Sequence, residues 1–120
     1  MIERSATRSR VSLPVLESAQ RQLQSLKQSG DLARRFSLLG DPTRLNILIA
    51  LASTREFCVF DLADILEMES SAISHQLRKL LDGGLVKRQR AGTTIYYRIE
   101  SEQLRDLVAT SRSLLLAGVH

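Results

Sequence analysis

The spacing of apolar positions predicts a mainly α-helical chain with one small β-hairpin. Apolar residues recur every three or four positions along most of the sequence, which is the period of a helix that buries one face. Residues 85–90 and 94–99 are instead two β-prone runs on either side of Ala91-Gly92. This arrangement is typical of a hairpin.

The most informative helix is predicted to begin at Ser70 and to end at Gly83-Gly84, since glycine terminates helices at little conformational cost. We expect Ser70 or Ser71 to cap it by accepting a backbone hydrogen bond. Its apolar stripe consists of Ile73, Leu77, Leu80 and Leu81. Its polar face carries Ser71, Ser74, His75, Arg78 and Lys79. A polar, basic helix followed by a basic hairpin predicts a reader of double-stranded DNA, with the helix in the major groove and the hairpin along the backbone.

A shorter helix precedes this one. Asp61 is expected to cap about two turns that carry Leu62, Ile65 and Leu66, and residues 67–69 then form a turn. Two helices joined by a tight turn, the second more basic, predict a helix-turn-helix. The connector at residues 56–60 is interpreted as a short strand that pairs with the hairpin.

Residues 40–42 are the clearest boundary in the chain. Gly40 is expected to close one helix, Asp41 to cap the next, and Pro42 to take its first position. The helix that follows, about residues 43–52, has a predicted inner face of Leu45, Leu48, Ile49 and Ala52. Before the boundary, Asp31 is predicted to cap a short helix with an inner face of Leu32, Phe36 and Leu39.

The first and last helices each carry an apolar stripe with no evident partner. The first is predicted from Pro14 to about Gln28, and the last begins after a Ser101 cap. Because a small monomer that exposed both stripes would be unfavourable, a homodimer is expected. The predicted interface residues are Leu16, Leu23, Leu26, Leu104, Leu107, Val108, Leu114 and Leu115.

Length and composition narrow the expected fold class and the expected partners. The chain of 120 residues is long enough for one domain, predicted as a flexible basic arm (1–13), a winged helix-turn-helix domain with terminal dimerisation helices (14–117) and a tail (118–120). Aromatic residues make up only 4% and Trp is absent, so the core must be aliphatic. The net charge of +4 favours a polyanionic partner. A single cysteine fits a reducing cytoplasm, and no apolar run approaches the ~18 residues of a membrane span.

The predicted DNA contacts combine base readers and phosphate binders. The full set is Ser70, Ser71, Ser74, His75, Gln76, Arg78, Lys79, Lys87, Arg88, Arg90, Thr93 and Thr94. Within it, Gln76 is expected to pair with adenine and Arg78 with guanine. The alternative interpretation of the basic residues in this set is that they form a solvated face that binds no partner. The arginines of the N-terminal arm either reach a minor groove or remain disordered.

Several ordered motifs resemble the ArsR/SmtB family of bacterial winged-helix repressors, from about Asp31 to Ser113. They are Leu39-Gly40-Asp41-Pro42-Thr43-Arg44-Leu45, Asp61-Leu62-Ala63, Ser74-His75-Gln76-Leu77, Gly84-Leu85-Val86 and Gly92 to Tyr97. The resemblance implies a homodimer built on the terminal helices, with two winged domains. It also implies a repressor that releases DNA when a metal or another inducer binds.

The chain departs from the family at both of its familiar metal sites. Many members carry Glu-Leu-Cys-Val-Cys-Asp-Leu where this chain has Phe60 in place of the second cysteine. The positions of the other common site hold Ser101, Gln103, Leu114 and Ala117, which are not good ligands. No metal or other cofactor is therefore expected. Cys58 is interpreted as a small buried hydrophobe, a redox or electrophile-sensing thiol, or a metal ligand.

Two histidines have open roles. His75 is predicted to face DNA or to form a local hydrogen bond, with metal ligation as the alternative. His120 would take part in metal binding only if the C-terminal tail folded back.

These patterns favour a sequence-specific, DNA-binding transcriptional regulator in the bacterial cytoplasm. It is predicted to be a dimeric repressor of a palindromic operator, released by a metal ion or a thiol-reactive signal. The alternative is a winged-helix protein-interaction module or co-regulator without its own operator. An enzyme is not expected, because the sequence has no nucleophile–base pair, glycine-rich phosphate loop or complete metal set.

Overall fold

A computed structural model describes residues 10–26 and 29–118. The helices are α1 (Leu13–Ser25), α2 (Ser29–Leu39), α3 (Pro42–Ala52), α4 (Val59–Leu66), α5 (Ser70–Asp82) and α6 (Glu102–Gly118). The strands are β1 (Phe57–Cys58), β2 (Val86–Ala91) and β3 (Thr94–Ile99). The chain divides into two compact units, Met1–Ala33 and Arg34–His120. The mainly helical class with a small hairpin is confirmed, while the predicted domain boundaries remain a prediction.

The core of the second unit is aliphatic, as the composition predicts. Its buried side chains are Ile47, Leu48, Leu51, Leu62, Ile73, Leu77, Leu80, Leu85, Val86, Ile99 and Val108. The stripe predicted for α5 is confirmed, since three of its members belong to this cluster and Leu81 packs against it. Burial of one α5 face holds the opposite face toward solvent.

The boundary at residues 40–42 folds as predicted. The Asp41 carboxylate accepts a hydrogen bond from the backbone N–H of Arg44 at 3.0 Å, and Pro42 begins α3. The predicted inner face was incomplete, because the fully buried α3 residues are Ile47, Leu48 and Leu51. The helix contacts α4, α5, α6 and β3. These elements cover more than one side of α3, so its buried residues do not form a single stripe.

Three capping predictions were wrong. α4 begins at Val59 with Cys58 at the cap position, and Asp61 lies inside the first turn, where its carboxylate accepts the Cys58 N–H at 3.0 Å. Such a reach back from the third helical residue replaces a cap at Asp61 itself. α5 begins at Ser70 after Glu69 and has no side-chain cap. α2 begins at Ser29, which places Asp31 within its first turn.

α2 also differs in the face that it buries. Leu32 and Phe36 of the predicted inner face are exposed. Leu39 of that face is half-buried and packs against the core as predicted, and so does Leu38, which the predicted face did not include.

α1 buries none of its residues. Leu23 and Leu26 of its predicted stripe are exposed and Leu16 is half-buried. Gln28, the predicted end of this helix, and residues 1–9 of the basic arm lie outside the described residues.

The sheet is antiparallel with the strand order β1-β3-β2. β1 pairs with β3 through Phe57↔Tyr97 and Cys58↔Tyr96, which confirms the predicted strand in the connector. In the hairpin, Val86 lies opposite Ile99 and both are buried. Gly92 takes a φ of +66° in the turn, a conformation that L side chains rarely adopt. The hairpin is therefore anchored at its base and projects its tip from the core as a wing.

α6 begins as predicted, with the Ser101 hydroxyl accepting the Leu104 N–H at 3.1 Å. Val108 is only 2% exposed and lies in the core of its own chain, while Leu104 is half-buried against that core. We therefore withdraw Val108 from the predicted dimer interface, since its side chain has no surface left for a second copy. Leu107 and Leu114 of that set are exposed, and the side chain of Leu115 lies outside the described residues.

Candidate nucleic-acid interface

The polar face of α5 is open to solvent. Its exposed members are Ser71, Ser74, His75, Arg78 and Lys79. They occupy the side of the helix opposite the buried Ile73, Leu77 and Leu80, so packing of the apolar stripe determines which side chains face outward. Hydroxyl, imidazole and cationic groups are suited to base edges and phosphates.

The wing adds a second basic surface on an edge strand. Lys87, Arg88 and Arg90 of β2 are all exposed. Because side chains alternate along a strand, Arg88 and Arg90 share one face of the hairpin and Lys87 lies on the other. Thr93 is exposed in the turn and Thr94 is half-buried at the start of β3.

An open groove of about 360 Å³ lies between α5 and the wing. The groove is lined by Ser74, Arg78, Leu81, Asp82, Arg88 and Tyr97. Arg78 from the helix and Arg88 from the strand therefore face the same space, and Asp82 is the acidic residue among its lining. A groove bordered by cations from two elements fits a polyanionic backbone.

The cations of this surface form no ion pair with the residues that the structure describes. Across residues 10–26 and 29–118, none of the five predicted phosphate or base contacts with a positive charge forms an ion pair: Arg78, Lys79, Lys87, Arg88 and Arg90. Unpaired guanidinium and ammonium groups remain available to phosphates, whose neutralisation releases counterions.

Gln76 and Ser70 occupy less open positions than the rest of the predicted set. Both are half-buried. The Gln76 Oε1 accepts a hydrogen bond from the Arg44 Nη1 at 3.1 Å, which gives the amide a partner inside the protein.

Three residues at or beside the interface were missed by the sequence reading. Tyr97 lines the groove, Arg98 is exposed opposite Lys87 on β3, and Arg44 binds Gln76. Period-2 alternation in the hairpin could have indicated Tyr97 and Arg98. No local signal could have indicated the contact between Arg44 and Gln76, which are 32 residues apart.

The residues at the family's metal positions do not fit a metal site. Phe60 stands at the second thiolate position, is 70% exposed and has no ligating atom. The Ser101 hydroxyl is engaged as the cap of α6. Within residues 10–26 and 29–118, no three His, Cys, Asp or Glu side chains lie close enough to hold a metal ion. Cys58 is half-buried, as opposed to fully buried, and His120 lies outside the described residues.

A helix-turn-helix followed by a β-hairpin wing, with a basic outer surface, defines a winged helix DNA-binding domain. The model of bacterial regulatory proteins of the arsR family matches residues 41–88, which run from the Asp41 cap into β2. None of the helices in the described ranges is long and apolar enough to cross a membrane.

Similar proteins identify the family. A transcriptional repressor SmtB homolog from Synechocystis sp. is 40% identical over 97 residues, which cover 81% of this chain and 73% of that protein. The crystal structure of the antimony-specific transcriptional repressor AntR has a TM-score of 0.68 and 30% identity, covering 78% of this chain and 92% of that chain. The solution structure of the homodimeric winged helix-turn-helix domain Mb0332 from Mycobacterium bovis has a TM-score of 0.68 and 28% identity, covering all (100%) of this chain and 94% of that chain.

This chain belongs to the arsR family and is a DNA-binding transcriptional regulator. The family consists of transcriptional regulators and not of enzymes.

Proposed function

We propose that this protein is a homodimeric repressor that binds a palindromic operator and leaves it when an inducer binds. The observation that carries the proposal is the convergence of unpaired cations from α5 and β2 on one groove. In this arrangement α5 enters the major groove, where Ser74 and Arg78 reach base edges, and the wing cations lie along the phosphates.

The homodimer is supported by α6, whose Leu107 and Leu114 are exposed. The structurally similar Mb0332 domain is described as homodimeric. A two-fold dimer presents two α5 helices to half-sites about one helical turn apart, which is the spacing of a palindromic operator. Such a regulator acts where the chromosome lies, in the bacterial cytoplasm.

Release by an inducer requires that the inducer prefers the conformation with low DNA affinity. A coupling of about 1–3 kcal/mol is typical for such linkage. We propose that no metal fills this role, since Phe60 and the engaged Ser101 leave neither familiar site with a ligand set.

The test begins with a duplex that the wild-type protein selects from a library of random sequences. We expect selective, salt-sensitive binding, and Arg78→Ala should weaken it by about 1–3 kcal/mol and relax the preference at one base pair. Arg55→Ala is the matched control, because Arg55 is exposed in the loop after α3. It lies outside the polar face of α5 and the basic residues of β2, which together are called the α5–wing surface. Equal affinity for selected and scrambled duplexes would favour a protein-interaction module over a repressor.

A further inference from the structure

Arg44 joins three helices through one guanidinium group. It lies in the first turn of α3 and is half-buried. Its Nε donates to the Leu38 carbonyl near the end of α2 at 3.0 Å, and its Nη1 donates to the Gln76 Oε1 on α5 at 3.1 Å. Because the guanidinium is planar and rigid, a contact at each of two nitrogens fixes its orientation.

The contact also fixes the orientation of the Gln76 amide. A guanidinium has donors and no acceptor, so the amide oxygen and not the amide nitrogen must face Arg44. The two N–H donors of Gln76 Nε2 have no hydrogen-bond partner among the described residues. Gln76 is thus held with its acceptor engaged and its donors unused.

Gln76 flanks the outward face of α5. It follows His75, which is exposed, and precedes Leu77, which is buried. A half-buried glutamine at this border can present its amide nitrogen to a base edge while its amide oxygen contacts the protein.

We propose that Arg44 is a positioning residue for base recognition, which makes Gln76 a donor-only reader that prefers guanine to adenine. The inference rests on the proposed docking of α5 in the major groove. Guanine presents two acceptors there, N7 and O6, whereas adenine presents an N6 donor beside its N7 acceptor.

The adenine pairing predicted from sequence requires the same amide oxygen that Arg44 occupies. A bidentate contact with adenine uses Oε1 as an acceptor and Nε2 as a donor. Turning Oε1 toward DNA would leave an Arg44 donor half-buried and unpaired, which is costly for a charged group. The internal hydrogen bond therefore selects against adenine.

The first experiment uses the duplex selected by the wild-type protein. Each base pair is replaced in turn, and the Gln76→Ala variant identifies the pair at which discrimination is lost. We expect that pair to contain guanine, and 7-deazaguanine there should weaken wild-type binding about tenfold. An adenine at that pair, or no pair whose discrimination depends on Gln76, contradicts the proposal.

The second experiment tests whether Arg44 acts through Gln76. Arg44→Met should reduce the guanine preference to that of Gln76→Ala, and the double variant should show no further loss, since both changes remove one interaction. Arg55→Met should leave the preference unchanged. A uniform loss across all duplexes, or additive losses in the double variant, would show that Arg44 does not act through Gln76.

The folding of Arg44→Met and the selection of a duplex decide how a negative result is interpreted. If Arg44→Met does not fold, as judged by circular dichroism, the 7-deazaguanine result for the wild-type protein decides the proposal. If the wild-type protein selects no duplex, the proposed function and this inference both fail. Selection of a duplex in which Gln76→Ala keeps the guanine preference contradicts this inference alone.

Discussion

α5 and α6 are both amphipathic helices of the second unit, but they differ in how they cover their apolar residues. The stripe of α5 consists of Ile73, Leu77 and Leu80, and all three are buried within their own chain. In the first half of α6, Val108 joins the core. Further along, Leu114 is 71% exposed and lies two turns after Leu107 on the same face, where Leu107 is 40% exposed.

The difference shows that one chain is enough to position α5, whereas the apolar face of α6 needs a second molecule to cover it. α5 is positioned by its own core, so its outward polar face is available for DNA. The face of α6 that carries Leu107 and Leu114 exposes apolar surface that a partner would cover, which supports the proposed dimer. Variants that affect one helix and not the other test this division.

The largest effect is expected from Leu77→Ala. Leu77 is fully buried, and its truncation removes apolar contacts and leaves a cavity. We expect the free energy of unfolding to fall by about 3 kcal/mol in urea titrations followed by circular dichroism. Lys79→Ala on the exposed face should change it by less than about 0.5 kcal/mol. Similar losses in the two variants would contradict the assignment of α5 faces.

Arg105→Met should have the next largest effect. The Arg105 Nη1 donates to the carbonyls of Leu51, Ala52 and Thr54 at 3.2, 3.1 and 2.9 Å, which satisfies the end of α3. Loss of this charged donor is expected to cost about 2 kcal/mol of unfolding free energy.

Glu102→Gln is the matched control for Arg105→Met. The Glu102 carboxylate lies 3.7 Å from the Arg105 Nε, but its side chain is 82% exposed. An exposed ion pair contributes little, so we expect a loss under about 0.5 kcal/mol. If Glu102→Gln cost as much as Arg105→Met, the loss in Arg105→Met would come from the ion pair within α6 and not from the carbonyl contacts with α3.

Leu114→Glu should weaken the proposed dimer without unfolding the chain. A carboxylate buried in an apolar interface is costly, and we expect the dimer dissociation constant to rise more than about tenfold. Sedimentation over a range of concentrations measures this constant. Leu116→Glu makes the same change about 200° away around the helix and should leave the dimer intact. A wild-type monomer at micromolar concentration would remove the proposed dimer.

Cys58→Ser should have the smallest effect. Cys58 lies in β1 opposite Tyr96, on the far side of β3 from β2. We expect DNA affinity within about twofold of wild type, both before and after treatment with hydrogen peroxide, as for most substitutions without a buried partner. Release of wild-type protein by peroxide that Cys58→Ser abolishes would instead identify a thiol sensor.

The sequence predicted α5 and the wing well because their signals are local. The stripe of Ile73, Leu77 and Leu80 follows the helical period, and Gly92 marks the hairpin turn. Asp41 and Pro42 likewise indicate the start of α3, because these residue types favour the cap and the first position of a helix.

The features that were missed depend on tertiary packing. α3 contacts several elements, so the burial of Ile47 could not be read from a one-sided stripe. The Asp61 carboxylate accepts the Cys58 N–H from inside the first turn of α4. An aspartate can occupy either the cap position or the third helical position, so the residue type alone does not distinguish them. The pairing of Arg44 with Gln76 joins distant parts of the chain and has no periodic signal.

We propose that the α5–wing surface binds DNA both by sequence and through phosphates. The most direct measurement is fluorescence anisotropy of the wild-type protein with selected and scrambled duplexes over a series of salt concentrations. We predict tighter binding to the selected duplex and a negative log–log salt slope of about 0.9 per phosphate neutralised, which Lys87→Ala reduces by about one. Equal affinity for both duplexes with no salt dependence would contradict the account.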